Sequence, residues 1–145
     1  MERADASGGD ILSKKKPGAG ADAAASLLAA LAGGWRLSRE IDDRRAGATG
    51  RFEGVATFVP DGAGLVYSEA GELHLAGQPP MRAERRYLWR ASAGRVGVLF
   101  ADGRAFHDFD AGAARPGAVH RCPPDLYRVA YDFSAWPRWT AVWEV

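Results

Sequence analysis

The feature that most constrains the fold is an alternation of apolar and polar residues with a period of two, repeated in short runs along most of the chain. In the last of these runs, Trp139, Ala141 and Trp143 alternate with Thr140 and Glu144. Successive residues of a strand point to opposite faces, so each run can place one side in a core and the other in water. The pattern therefore predicts β-strands, not helices.

About ten such runs follow one another at a spacing of about 8–12 residues, separated by turn sequences and without a long helix between them. Asp102-Gly103 is a typical hairpin dipeptide, and Pro60-Asp61-Gly62 and Ala70-Gly71 also indicate turns. A long antiparallel meander usually closes on itself, because closure removes exposed strand edges. We therefore expect an all-β fold, an antiparallel up-and-down β-barrel of about 8–10 strands, with a two-sheet sandwich as the alternative.

The N-terminal part of the chain lacks this alternation. Residues 1–20 are rich in small and charged side chains and are predicted to form a flexible tail. Residues 21–31 are rich in Ala and Leu and predict a short helix, which Gly33-Gly34 would end. Residues 21–145 are thus expected to form one barrel domain with a short N-terminal helix.

Composition excludes several classes of function. The single cysteine, Cys122, rules out an intrachain disulfide and favours a cytoplasmic location. A net charge of +1, from 19 basic and 18 acidic side chains, predicts neither nucleic acid nor an anionic membrane as a partner. Lys14-Lys15-Lys16 and the apolar residues after it loosely resemble a signal peptide, but Asp22 interrupts them. The oligomeric state is left open.

The candidate functional residues follow from assigning one face of each run to the interior. Charged side chains belong outside unless they are paired, which directs His107, His120 and Cys122 inward and Phe106 outward. If their two runs pair, His107 and His120 would lie nearly opposite each other. The predicted ligand-binding residues are Tyr67, Glu69, Arg85, Tyr87, Trp89, His107, His120, Tyr127 and Tyr131.

An aromatic wall with a few polar groups is typical of a small-molecule pocket. The sequence therefore predicts a protein that binds a small, partly aromatic or anionic molecule in the barrel interior. Buried tyrosines and histidines can also simply satisfy one another, and Arg85 with Glu69 can be a structural ion pair. Two other functions stay open: an enzyme using His107 or His120 as general acid or base, and a partner-binding module using an exposed edge or residues 77–80.

No cofactor is predicted. His107, His120 and Cys122 form the only group with the ligand types of a zinc or iron site, and one histidine alone could ligate a haem iron. The chain has no Cys-x-x-Cys pair, no nucleophile elbow and no phosphate-binding loop. Zinc and haem therefore remain alternatives, and no catalytic residue is assigned.

Two groups of residues resemble known proteins. Gly33-Gly34-Trp35, between the predicted helix and the first run, resembles the opening of lipocalins and other calycins, which implies that the helix of residues 21–31 plugs one end of the barrel. Four later segments resemble a family of uncharacterised bacterial proteins with a calycin-like barrel: residues 87–90, 102–110, 120–127 and 131–143. The resemblance implies a barrel with an interior site around His107, His120 and Tyr127, and implies no known activity. It also implies a further segment after the last Trp-rich strand, which leaves closure of the barrel open.

Overall fold

The computed structural model describes residues 2–8, 22–62 and 64–145. Within them the chain forms ten β-strands and one α-helix. In chain order the elements are β1 (Glu2–Gly8), α1 (Ala23–Leu31), β2 (Gly33–Asp43), β3 (Ala48–Asp61), β4 (Gly64–Leu75), β5 (Met81–Ser92), β6 (Arg95–Phe100), β7 (Ala105–Asp110), β8 (Gly117–Cys122), β9 (Asp125–Asp132) and β10 (Arg138–Glu144).

All ten strands belong to one antiparallel sheet in the order β7-β6-β5-β4-β3-β2-β1-β10-β9-β8. The sheet curls until its two end strands, β7 and β8, come into contact, although they are not hydrogen-bonded neighbours in the part of the chain described. We call the junction between β7 and β8 the seam. The predicted all-β antiparallel barrel is confirmed, as a barrel that is closed except at the seam.

Strand β1 corrects the prediction of a flexible tail over residues 1–20. Glu2–Gly8 pairs with β2 on one side and β10 on the other, while residues 1 and 9–20 lie outside those described. Ala4 and Ala6 contact the core, and Arg3 is exposed. Alanine is a weak strand signal, so the pattern was too faint to recognise. The unpaired edges of β2 and β10 supply the backbone hydrogen bonds that make this segment a strand.

The predicted turn at Ala70-Gly71 is also wrong, because β4 runs without a break from Gly64 to Leu75. Gly71 pairs with Gly54 of β3, and a Cβ atom added to Gly71 would lie 2.2 Å from the carbonyl oxygen of Glu53. The two glycines thus allow the strands to approach closely instead of turning the chain. Two predicted runs become one strand, and β1 restores the total to ten.

Helix α1 lies within the predicted residues 21–31 and packs on β5 and β6. Leu27 and Leu31 are almost fully buried, and the carbonyl of Leu31 accepts a hydrogen bond of 2.7 Å from the Trp35 indole. Trp35 in turn makes edge contacts with Trp136 and Trp139, at centroid distances of 5.4 and 6.0 Å. Among the described residues, no helix is long and apolar enough to cross a membrane.

Candidate functional site

A β-bulge at the start of β7 positions the central residues of the site. Val98 pairs with His107 and Leu99 pairs with Ala105, so Phe106 is an extra residue with no partner in β6. Such a residue rotates the strand locally. Both Phe106 and His107 are therefore buried, at 6% and 7% exposure. The predicted outward orientation of Phe106 is wrong, because simple alternation does not anticipate the bulge.

Phe106 is the centre of an aromatic group that we call the Phe106 cluster. Its ring lies between 4.6 and 5.9 Å, centroid to centroid, from the other members of the cluster. These members are Tyr87, Phe100, His107, His120 and Trp143. The expectation that the two histidines lie opposite each other in paired strands is wrong, because β7 and β8 are not paired. Both imidazoles instead contact the Phe106 ring.

His107 has one satisfied and one unsatisfied ring nitrogen. Its Nε2 atom lies 2.8 Å from the Tyr131 hydroxyl, whereas Nδ1 is buried and has no hydrogen-bond partner among the described residues. Burial and the nearby His120 lower the pKa of His107 from 6.5 to about 4, although Asp108 opposes the shift. The His107 ring is therefore neutral near pH 7.

The protonation of Tyr131 indicates which nitrogen of His107 carries the hydrogen. Burial, with a smaller effect of Tyr87, raises the pKa of Tyr131 far above its ordinary value, so the phenol keeps its proton. A Tyr131 hydroxyl that donates to Nε2 requires the neutral ring to carry its hydrogen on Nδ1. The opposite tautomer would leave both the phenol hydrogen and Nδ1 unsatisfied. The favoured arrangement therefore leaves one buried N–H donor.

His107 and His120 open onto a groove along the seam with a volume of about 950 Å³, which we call the seam groove. Leu99 and Val119 contribute apolar surface, and Arg95, paired with Asp108 at 2.9 Å, and Arg128 contribute charge. The full lining is Arg95, Gly97, Leu99, Ala105, Phe106, His107, Asp108, Gly117, Ala118, Val119, His120, Arg128, Val129, Ala130, Val142 and Glu144.

A second polar group lies in the barrel interior and includes a residue, Arg39, that was not among the predicted site residues. Arg39 forms two hydrogen bonds with Glu69, of 2.9 and 2.7 Å, and the two residues are only 7% and 3% exposed. The Tyr67 hydroxyl donates to Glu69 at 2.5 Å. Burial, and then Glu69 itself, raise the pKa of Tyr67 well above its ordinary value. The Arg85 Nε atom lies 3.6 Å from Glu69, with 40% of the Arg85 side chain exposed.

A signal for Arg39 was present in the sequence. Arg39 occupies the same face of β2 as Trp35 and Leu37, and a charge on an apolar face needs a partner of opposite sign. Glu69, placed inward by its alternation with Ser68 and Ala70, is that partner. Sequence reasoning paired Glu69 with Arg85 alone, and the structure adds Arg39 as its closer partner.

Eight of the nine predicted ligand-binding residues are divided among three separate cavities. Tyr67, Arg85, Tyr87, Trp89 and Tyr131 line an interior cavity of about 40 Å³. That volume is far below the roughly 300 Å³ of a typical ligand pocket, because side chains fill most of the barrel. His107 and His120 line the seam groove. Tyr127 lines a pocket of about 390 Å³ with Trp143 and Asp125, and Glu69 lines none of the three.

The structure does not bring together the three residues of the alternative metal site. Cys122 is the last residue of β8 and is exposed, whereas its predicted orientation was inward. Across the described ranges, no group of three or more His, Cys, Asp or Glu side chains is placed to hold a metal ion. His107 and His120 remain neighbours within the Phe106 cluster without a third ligand.

Comparison with known proteins gives one match. The profile of a protein family described as "Family of unknown function (DUF6314)" matches residues 31–145. The match spans β2 to β10 and includes every residue of the Phe106 cluster, while β1 and most of α1 precede it. No curated protein and no solved structure matches the chain.

Proposed function

The chain belongs to the DUF6314 family, whose function is unknown, and on that premise we propose that it binds a small, partly aromatic or anionic molecule in the seam groove. The proposal keeps the ligand class expected from the sequence and moves the site from the barrel interior to the seam. The seam groove has the volume of a small-molecule site, about 300–1,000 Å³, and the interior cavity does not.

The observation that carries this proposal is the unsatisfied Nδ1–H of His107. Buried polar groups in proteins almost always have a partner, and the His107 side chain that carries this orphan donor lines the groove, so the donor calls for an acceptor atom. A carboxylate or carbonyl oxygen of the ligand would supply it. Because the ring is neutral, it can donate this hydrogen bond without requiring a buried counter-charge.

The walls of the groove add a preference for an aromatic body and a negative charge. His120, whose ring meets that of Phe106 edge to face, is half-buried and can pack against a planar ligand. Arg128 and Arg95 lie on the walls, where a guanidinium can pair with a carboxylate. Asp108 already engages Arg95, which leaves Arg128 as the expected anchor for an anion.

Binding explains His107 better than acid–base catalysis does. A general base works best with a pKa near the working pH, and the pKa of His107, about 4, is well below it. His107 is therefore a weak base, and the same neutral state makes it a good hydrogen-bond donor. The experiment below also tests whether His120 has an enzymatic role.

Strand addition at the seam is a second candidate function. The Tyr131 backbone N–H donates to the carbonyl of Pro116, which fixes the alternation of the β8–β9 ladder. In that alternation, the backbone groups of Gly117 and Val119 point away from β9, toward the seam. An extended peptide could pair with this edge. Light scattering that shows concentration-dependent association would favour this candidate.

Two further predictions accompany the proposal. An antiparallel barrel with a helix directly before Trp35 is the arrangement that calycins have, so we include a calycin relationship in the proposal. The single cysteine continues to favour a cytoplasmic protein, and the resemblance to uncharacterised bacterial proteins implies a bacterial one.

The proposal is tested by titrating the protein with benzoate, indole-3-acetate and the neutral benzamide while recording long-range ¹H–¹⁵N spectra of its three histidines. We expect saturable shifts of the His107 and His120 ring nitrogens, with benzoate binding more tightly than benzamide. His74, on β4 outside the groove, is the internal control.

His107→Phe should abolish binding of benzoate, and Arg128→Gln should weaken it, while His74→Phe should leave it unchanged. Arg128 is exposed, so its variant tests the groove even if His107→Phe proves unstable. Shifts that affect all three histidines alike, or that never saturate, would contradict the proposed site. Turnover of a carboxylate ester that depends on His120 would instead favour the enzymatic alternative.

A further inference from the structure

The interior cavity has a composition that the seam groove does not share. Its lining includes Trp89 on β5 and Trp139 on β10, which contact each other edge to face with ring centroids 6.4 Å apart. Ala4 and Ala6 of β1 also line it, and their short side chains leave space open. About 10–15 Å³ is enough for one water molecule, so about 40 Å³ admits a particle of one to three atoms.

Two buried donors of the cavity wall have no acceptor. The indole Nε1 atoms of Trp89 and Trp139 are out of contact with solvent, and neither has a hydrogen-bond partner in the described part of the chain. An indole N–H can only donate, so it cannot be satisfied by another donor. Because both indole side chains line the same cavity, an acceptor inside it could satisfy both donors.

The other polar side chains of the wall are guanidiniums and phenols, and each of them carries at least one hydrogen-bond donor. The guanidinium-bearing side chains Arg39 and Arg85 line the cavity, as do the tyrosines Tyr67, Tyr87 and Tyr131. Glu69, which binds both arginines, is not among the lining residues, and no described carboxylate is. The cavity thus combines neutral N–H donors with nearby positive charge, which is the environment that stabilises an anion in a low-dielectric interior.

We propose that this cavity is a binding site for a small anion of one to three non-hydrogen atoms, held by the indole N–H groups of Trp89 and Trp139 beside Arg39 and Arg85. Halides and nitrite have this size, whereas sulfate does not fit. The site is separate from the seam groove and goes beyond the proposed function. Tyr131 lies between the two, lining the cavity and bonding His107.

The protein contains its own control for this proposal. Trp136 also has a buried indole N–H without a described partner, yet it does not line the cavity. In ¹H–¹⁵N spectra of the five tryptophan side chains, titration with chloride, bromide or nitrite should give saturable shifts for Trp89 and Trp139. The Trp136 resonance should stay in place, and sulfate at matched ionic strength should have no effect.

Three substitutions distinguish anion binding in the cavity from general effects of salt on the protein. Trp139→Phe should weaken bromide binding at least tenfold, and Trp136→Phe should not change it. Ala141→Val adds two methyl groups to the cavity wall without removing a donor, and should also weaken binding at least tenfold. This variant gives an answer even if Trp139→Phe fails to fold.

Shifts that are linear in salt, equal for Trp136, or unchanged by Ala141→Val would overturn the proposal. The His107→Phe variant distinguishes the two sites, because it should lose benzoate binding and keep bromide binding. Loss of bromide binding alone in Trp139→Phe, with benzoate binding retained, would leave the seam groove proposal intact.

Discussion

Two buried polar clusters in the same barrel differ in how completely their hydrogen bonds are satisfied. On the continuous side of the sheet, Glu69 accepts bonds from Arg39 and Tyr67 and lies near Arg85. On the seam side, His107 is bonded at Nε2 and left without a partner at Nδ1. The first cluster links β2, β4 and β5, and the second lies at a bulge in β7, beside the seam where β7 and β8 do not pair with each other.

The difference separates polar groups that hold the fold from those available to a ligand. A buried ion pair whose hydrogen bonds are all made holds one geometry. Removing either partner leaves the other charge buried without compensation, which destabilises the folded protein. A buried donor without an acceptor already destabilises the folded protein, because its desolvation is not compensated by a hydrogen bond. We therefore expect substitutions in the Glu69 cluster to change stability, and substitutions at His107 to change binding and pH dependence.

The largest effect is expected from Glu69→Leu. It leaves the Arg39 guanidinium buried without its carboxylate, which should lower the free energy of unfolding by about 3–5 kcal/mol. The double variant Arg39→Met/Glu69→Leu removes both charges and should recover most of that loss. Urea denaturation of the three proteins measures both values. A single variant as stable as the parent protein would remove the structural role that the comparison assigns to this cluster.

The next effect is a dependence of stability on pH that arises from His107. Its pKa is about 4 in the folded protein and near 6.5 when unfolded, so the unfolded state binds the proton first as the pH falls. Stability should be complete above pH 6.5 and should decrease toward pH 4 by about 3 kcal/mol, since each pKa unit is worth about 1.4 kcal/mol. Urea denaturation at several pH values should show this slope.

The variants His107→Phe and His74→Phe test the origin of that slope. His107→Phe should abolish this part of the pH dependence, and His74→Phe, on β4, should retain it. Equal slopes in the parent protein and in His107→Phe would mean that the seam cluster does not bury a neutral imidazole.

The barrel could be predicted from the sequence because its strands carry the information locally. Wherever large apolar residues alternate with polar ones, as in Tyr87 and Trp89, the sequence shows both the strand and its inner face. Strand β1 does not carry such information. Its inward residues are Ala4 and Ala6, and it is a strand because β2 and β10 offer it unpaired backbone. Pairing between distant segments cannot be read from either segment alone.

The site was predictable to the extent that alternation holds. His107 and Tyr131 are buried as expected, because excluding charged residues from the core assigned their faces correctly. Phe106 was missed because a bulge breaks the alternation at that residue. Arg39 was missed because its burial depends on Glu69, which lies on a different strand and 30 residues away along the chain.

The smallest effects come from a matched pair of substitutions, Tyr67→Phe and Tyr131→Phe, each of which removes one hydroxyl. Tyr67 donates to a carboxylate, and a bond to a charged group is worth about 1.5–3 kcal/mol. Tyr131 bonds a neutral imidazole, for which about 0.5–1.5 kcal/mol is expected. Urea denaturation near neutral pH should therefore rank Tyr67→Phe as the more destabilising.

Binding should rank the same pair in the opposite order. Without the Tyr131 hydroxyl, the hydrogen of His107 is no longer directed to Nδ1, so benzoate affinity should fall in Tyr131→Phe and stay constant in Tyr67→Phe. Because stability and binding respond in opposite orders, a general loss of structure cannot produce both results. If both substitutions lowered stability and binding in parallel, the two clusters would be equivalent and neither could be assigned to fold or to ligand alone.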